Sequence, residues 1–347
     1  MRESKSIIIT CIGGGLSYEF IELLKSSKRY EYSIVGVDTS ESAVARHICD
    51  AFEKVPNGAD SSYAEYMHQI CKKHGIDLIF PCSDTEALAL ARYRKAFDDE
   101  GIVVACNDYE TLLTISDKAK TYRKLEDMGF ATPLWCQTFS HKKIREQISE
   151  LTSRKKSAVV KLPDARGSRG IFVLDDKVEG ETFYNNTREI HANPTFFLND
   201  ILPTLNPEDG YIVMERLLEP VCDLDVLAWH GEVVHSVSRR RLDSASPNNG
   251  HVVEQNVEVM KLATNIVQKM DLSWIFDVDY MFASDGSPVI LEINPRASGS
   301  VAVPIAAGVP LFDDMLSLVC GENIEEIKYP EQMVVYPVKS LRKRSLR

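Results

Sequence analysis

The stretch Phe276-Asp277-Val278-Asp279-Tyr280-Met281-Phe282-Ala283-Ser284-Asp285-Gly286-Ser287-Pro288-Val289-Ile290-Leu291-Glu292-Ile293-Asn294-Pro295-Arg296 consists of two alternating apolar runs divided by Asp285-Gly286. Asp-Gly between such runs is a strong local hairpin signal, because both residues tolerate the positive φ of a tight turn. With these two as the turn, Asp279 falls opposite Glu292 and Asp277 opposite Asn294. Side chains alternate along a strand, so all four share one face. Two carboxylates 4 Å apart repel by roughly 4 kcal/mol at an effective dielectric of about 20, so a cation belongs between them. Oxygen donors with no His or Cys nearby suit magnesium or manganese rather than zinc. Arg296 extends the face with a fixed cation that can hold an anionic group.

Upstream of the hairpin, Tyr211 to Glu215, Leu224 to Trp229 and Glu232 to Arg240 read as three antiparallel strands, the last two joined at His230-Gly231. Glu254 to Met270 has helical spacing, with Val257, Met260, Ala263 or Thr264, and Val267 on one side. Earlier still, Asp117 to Met128 reads as a helix stopped by Gly129, and Ile144 to Leu151 as another. Ser157 to Lys161 is a strand entering Asp164-Ala165-Arg166-Gly167-Ser168-Arg169-Gly170, and Ile171 to Leu174 a strand leaving it. Strand, loop, strand without Gly-Lys-Ser/Thr is not a P-loop. Its backbone N–H groups could cover phosphates, or the loop could be a plain hairpin turn. Residues 182–208 carry little periodicity and read as irregular chain with one short helix.

In the first hundred residues β-rich runs alternate with helical ones, Ser17 to Lys25, Tyr63 to His74 closed by Gly75, and Thr85 to Asp98, a rhythm that implies a mostly parallel sheet covered on both faces. Gly13-Gly14-Gly15 after the first run and Asp38 at the end of the second are parts of a dinucleotide fingerprint. Tyr18 stands where its third glycine should allow close helix-to-strand packing, which counts against a nicotinamide cofactor.

The 347 residues are 44% hydrophobic and 26% charged, with a formal net charge of −11, which suits an ordinary globular protein and not a nucleic-acid-binding surface. No apolar run approaches the roughly 18 residues of a membrane span. The N-terminus lacks a signal-peptide pattern, and the eight cysteines form no C-x-x-C pair, so a cytoplasmic protein with reduced thiols is expected. Five cations in the nine residues Lys339 to Arg347 read as a solvated end.

A carboxylate-bound divalent cation, a lysine at a strand end before a glycine-bearing loop, and several arginines together describe a nucleoside triphosphate site. The chain resembles the ATP-grasp superfamily of carboxylate–amine ligases, in particular relatives of the carbamoyl-phosphate synthase large subunit and of biotin carboxylase. The resemblance covers about residues 5–320. It rests on DKAKTYRKLEDMGFATP at 117–133, VVKLPDARGSRGI at 159–171, YIVMERLLEP at 211–220 and ILEINPR at 290–296. It implies an α/β protein with a Rossmann-like parallel-sheet domain at 1–107 and an ATP-grasp domain at 108–325. Two α+β subdomains of the latter would clasp ATP, a lid would span about 134–210, and 326–347 would form a C-terminal segment.

By the same resemblance Lys118 and Lys161 would contact the triphosphate, and the loop that includes Arg166, Gly167, Ser168 and Gly170 would close over it. Glu215, Arg216 and Leu218 would form the adenine hinge, and Asp223 would take the ribose hydroxyls. Asp279, Glu292 and Asn294 would hold one or two magnesium ions, and Arg296 would steady the γ-phosphate acceptor or the acyl phosphate. Where some relatives use a lysine or histidine beyond the second hairpin strand to handle their substrate, this chain has Arg239-Arg240-Arg241, of which Arg241 is favoured for the analogous role. Ala297-Ser298-Gly299-Ser300 replaces the biotin carboxylase Gln-Val-Glu-His run, which argues against biotin carboxylation. The implied partners are a small-molecule carboxylate, an amine and a second copy of the chain, with no nucleic acid or membrane. The other readings are a nucleotide-binding module without catalysis and, less favoured, an NAD(P)-binding protein.

Overall fold

The computed structural model describes residues 3–164, 170–178, 189–244, 246–338 and 341. Strands β1 (Glu3–Ile9), β2 (Tyr30–Asp38), β3 (Ala51–Lys54), β4 (Leu78–Phe80) and β5 (Val103–Val104) form a parallel sheet in the order β3-β2-β1-β4-β5. Apolar β1 is buried at its centre, as the continuous Ile7-Ile8-Ile9 run requires. Helices Ser17–Lys25 and Tyr63–His74 match the sequence reading, and Gly75 closes the second at φ 62°. The single helix expected from Thr85 to Asp98 breaks at Tyr93 into Asp84–Arg92 and Arg94–Asp98. Edge strand β3 was not anticipated, since its four residues carry no periodic pattern.

A second sheet contains β6 (Trp135–Thr138), β7 (Ala158–Lys161), β8 (Ile171–Leu174), β9 (Glu189–Ala192) and β10 (Tyr211–Glu215), in the order β6-β10-β7-β8-β9. Strand β10 therefore pairs with β6 and β7 and not with the strands that follow it in sequence, which corrects the expected three-stranded run. Strand β6 was missed because it pairs only with distant β10, and β9 because its four residues, paired in parallel with β8, carry no periodic pattern. Helix His141–Ser153 packs Ile144, Ile148 and Leu151 on this sheet.

The third sheet holds β11 (Leu218–Trp229), β12 (Glu232–Arg241), β13 (His251–Val253), β14 (Trp274–Phe282), β15 (Pro288–Asn294) and β16 (Met333–Val335). Its order is β15-β14-β11-β12-β13-β16, and every neighbouring pair is antiparallel. Helix Val257–Met270 is capped by the Asn256 side chain and buries Val259, Ala263, Ile266 and Val267. Val257 is exposed, so the apolar stripe is turned from the one expected.

The decisive hairpin is built differently from a two-residue turn. Ala283 and Ser287 bracket a wider turn, and Phe282 pairs with Pro288, one residue out of the expected register. An irregularity beside Tyr280, with Leu291 as the extra residue on β15, restores it. Beyond that bulge Asp279 lies opposite Glu292 and Asp277 opposite Asn294, as the sequence predicts.

Candidate active site

One cavity of about 260 Å3 is lined by Lys118, Asp223, Arg241, Asp277, Asp279, Glu292, Asn294 and Arg296, together with Gly15 from the turn after β1 and Asp84 from the start of the helix after β4. Strands β11, β12, β14 and β15 supply most of these groups from one sheet face. Lys118 comes from the first turn of helix Lys118–Asp127, where the Asp117 side chain accepts the N–H groups of Ala119 and Lys120.

The cavity's charges interlock. Lys118 Nζ lies 2.6 Å from Glu292 Oε2. Burial opposes ionisation of Glu292, but the Lys118 charge outweighs it and holds the carboxyl down at about 2. Arg241 reaches Asp223 at 2.6 Å and Asp279 at 3.1 Å. Fully buried Arg239 binds Asp225 at 2.6 Å, Asp223 at 3.2 Å and the Ser298 hydroxyl at 2.9 Å, with Asp277 at 3.8 Å. Arg240 turns the other way, 3.7 Å from Glu254. Arg296 lies 3.1 Å from Asp84 and donates to Asn294 Oδ1 at 3.3 Å.

Four carboxylates, Asp223, Asp225, Asp277 and Asp279, thus share two guanidiniums. His251 adds no charge at neutral pH, since burial and then the neighbouring Arg239 push it down to about 4. Two negative charges are left over. The deficit is visible in the acids themselves: burial lifts Asp279 to about 7 even with Arg241 beside it. Burial and then the adjacent Asp279 also push the Asp277 carboxyl well up. Asp277 Oδ1 and Asp279 Oδ1 are buried without a hydrogen-bond donor, and oxygens of Asp223, Asp277 and Asp279 lie within 4.8 Å of one another. A divalent cation would supply the missing charge, and an all-oxygen set would suit magnesium or manganese. The acids that converge here are joined by Asp279 from the expected set, while Glu292 and Asn294 border the same cavity.

Lys161 ends β7 beneath this face. It is buried, its Nζ lies 3.3 Å from the Tyr122 hydroxyl, and burial and then the charge of Lys118 lower its ammonium to about 7. The expected hinge stands apart from the cavity lining. Glu215 accepts the Leu134 N–H at 2.9 Å and pairs with Lys156; Arg216 lies 3.7 Å from Glu219; Leu218 opens β11 and is exposed. Asp223, expected at a ribose, has both oxygens on Arg241 and lies in the acid cluster, with burial opposed by the Arg239 and Arg241 charges that hold its carboxyl low. Gly170, at φ 67°, leads into β8. Arg166, Gly167 and Ser168 lie outside the described residues.

Asp225, Arg239, His251 and Ser298 were not singled out as inward-facing from sequence. The period of two along β12 could have paired Arg239 with Arg241, but the others meet only through cross-strand and loop packing. Asp38, the acid of the partial dinucleotide fingerprint, accepts the Gly13 N–H at 2.7 Å and the Ser40 N–H at 2.8 Å. Each of its oxygens thus accepts one backbone N–H of the surrounding loops.

Comparison with known proteins agrees with this layout. Residues 115–193 match an ATP-grasp domain model, 208–343 a model of ATP-grasp proteins in the biosynthetic pathway with Ter operon, and 7–105 the PylC-like N-terminal domain. The carbamoyl phosphate synthase large chain of Sulfurisphaera tokodaii is 20% identical over 320 residues, 85% of this chain and 28% of that relative. This chain therefore spans little more than a quarter of that relative's length, and 10% of the arginine-specific large chain of Geobacillus stearothermophilus, to which it is 31% identical over 100 residues. Among solved structures, N5-carboxyaminoimidazole synthetase from Staphylococcus aureus in complex with ADP superposes with a TM-score of 0.70 at 15% identity, over 97% of this chain and 83% of that one. With ATP-grasp models on both of its later sheets and that fold throughout, the chain belongs to the ATP-grasp superfamily.

Proposed function

We propose that the protein is an ATP-dependent, ADP-forming carboxylate–amine ligase. The observation that carries this reading is the cavity over β14 and β15, where an acid cluster short of two positive charges is ringed by Lys118, Arg241 and Arg296. A substrate carboxylate oxygen would bond to the γ-phosphorus of ATP as that phosphorus parts from ADP. An amine nitrogen would then attack the acyl carbon, expel phosphate and lose a proton, leaving an amide. Lys118, Lys161, Arg241 and Arg296 would offset charge on the phosphoryl oxygens, as preorganised cations do in a water-poor site. Bound to Asp279 with Asp223 and Asp277, or with Glu292 and Asn294, magnesium would supply the remaining positive charge. No covalent nucleophile is needed, and a lid over 134–210, with Glu189 of β9 on the cavity wall, would exclude water from the acyl phosphate. Glu215 to Leu218 are proposed for the adenine, although their side chains stand off the cavity. A homodimer is proposed on resemblance alone.

The test is ADP release from Mg-ATP with a carboxylate and hydroxylamine, compared between the wild type and Glu292→Gln. The reading expects at least a hundredfold loss of turnover with folding retained. An unchanged rate would remove the metal assignment, and Mg-nucleotide binding without ADP formation for any carboxylate would leave a binding module.

A further inference from the structure

In a parallel sheet ordered β3-β2-β1-β4-β5, the connections leaving β1 and β4 run to opposite sides, and a crevice opens at their carboxyl ends. Three carboxylates cluster around that crevice here, and two serve the loops themselves. Glu86 accepts the hydroxyls of Thr10 at 2.6 Å and Ser83 at 2.7 Å, while Asp38 accepts the N–H groups of Gly13 and Ser40. The third, Asp84, is 6% exposed and lines the same cavity as Asp279 and Glu292. Across from it the β12–β13 loop lays Asn248 on Gly15 so closely that a Cβ there would fall 2.3 Å from the amide nitrogen.

The wall opposite the hairpin thus contributes an acid, whereas the cavity's cations, Lys118, Arg241 and Arg296, come from the other side. A substrate with a phosphate or second carboxylate at its far end would bring negative charge against Asp84. A flat aromatic substrate finds no ring to stack on among the described lining residues. A cationic group finds a buried carboxylate that already holds a cation, the Arg296 guanidinium at 3.1 Å. That one guanidinium also touches Asn294 at 3.3 Å, so the distance from Asp84 to the hairpin's metal-facing edge is short. Resting on the ligase reading above, we infer that the carboxylate activated here belongs to an amino acid whose ammonium group is seated on Asp84, in exchange with or beside Arg296.

The experiment measures hydroxamate formation by the full chain with Mg-ATP and hydroxylamine. Amino acids are paired with deaminated counterparts: alanine with propionate, glutamate with glutarate, lysine with 6-aminohexanoate. The expected result is an amino acid preferred at least tenfold in kcat/KM over its counterpart, and a KM for it raised at least tenfold in Asp84→Asn. Calorimetric binding of Mg and the non-hydrolysable analogue AMP-PNP should stay within twofold in that variant. Deaminated or phosphorylated carboxylates turning over as well as amino acids, or an unchanged KM in Asp84→Asn, overturn the inference and leave the ligase reading standing. If Asp84→Asn does not fold, the wild-type comparison decides alone. Absence of AMP-PNP binding, or of ADP formation with any carboxylate, instead brings down the ligase reading and this inference with it.

Discussion

Arg239 and Arg241 face one side of β12 and Arg240 the other, so a run of three arginines places two among the acids and one beside Glu254. Their alternation was legible in the sequence, while the inward parity depended on register, with Arg241 the residue favoured there. Each expected metal donor is engaged by a cation also expected at ATP or the substrate: Glu292 by Lys118, Asp279 by Arg241 and Asn294 by Arg296. These cations stand where the metal's charge belongs, so removing one should expose the site. In Arg241→Met, Mn2+ measured by EPR without nucleotide should bind at least tenfold more tightly than in the wild type; equal affinity would mean that Arg241 does not compete with the metal. Lys161 gives a pH-dependent prediction. Its ammonium falls from 10.5 to about 7 on folding, so between these values the unfolded chain binds the extra proton and stability rises with pH. Lys161→Met should therefore be more stable than the wild type at pH 6.5 and lose most of that advantage by pH 9.5, at a rate of up to about 1.4 kcal/mol per pH unit. Urea denaturation of both proteins at the two pH values checks this, and the variant should bind Mg-AMP-PNP at least tenfold more weakly.

At the scale of elements, the hairpin shows what a sequence can and cannot specify. Alternation and Asp285-Gly286 were enough to locate two strands and to put four donors on one face. The turn is wider than two residues, and only the Leu291 bulge returns β15 to the expected register. Nothing local marks that bulge, because its stabilising partner comes from far away in sequence: the Tyr122 hydroxyl donates to the Leu291 carbonyl at 2.7 Å. Tyr122→Phe should leave that carbonyl without this donor and cost about 1–3 kcal/mol in urea denaturation. Its effect on ADP formation should exceed its effect on Mg-AMP-PNP binding if the bulge positions Glu292; equal losses in both would assign Tyr122 to packing alone. Helix Lys118–Asp127 was the more legible element, since Asp117 is a cap and Gly129 a stop in the sequence itself. Asp117→Ala should lower stability by about 1 kcal/mol, measured in the same way.

Across the whole molecule the first and third sheets meet through polar groups as well as a shared core. Asn107 Nδ2 donates to the Ser273 carbonyl at 3.0 Å and Asn107 Oδ1 accepts the Ser273 N–H at 2.8 Å, while the Tyr32 hydroxyl donates at 2.6 Å to Asp313 of the helix Leu311–Val319, which packs on the third sheet. These contacts bring the glycine loop and Asp84 to the hairpin, so the cavity is shared between sheets that the sequence could only describe separately. The βαβ rhythm and the metal-facing hairpin were readable because each is encoded within a few dozen residues. The Asp84–Arg296 pair and the Asn248–Gly15 contact were not, because each joins segments separated by more than a strand or helix. Among the described residues no helix is long and apolar enough to cross a membrane. The central claim is that this shared cavity binds a triphosphate together with a divalent metal. Calorimetric titration of AMP-PNP into the full chain, with magnesium and again with a chelator, tests it most directly. Saturable binding that weakens at least tenfold on chelation is the predicted result; no binding, or binding indifferent to the metal, would contradict it.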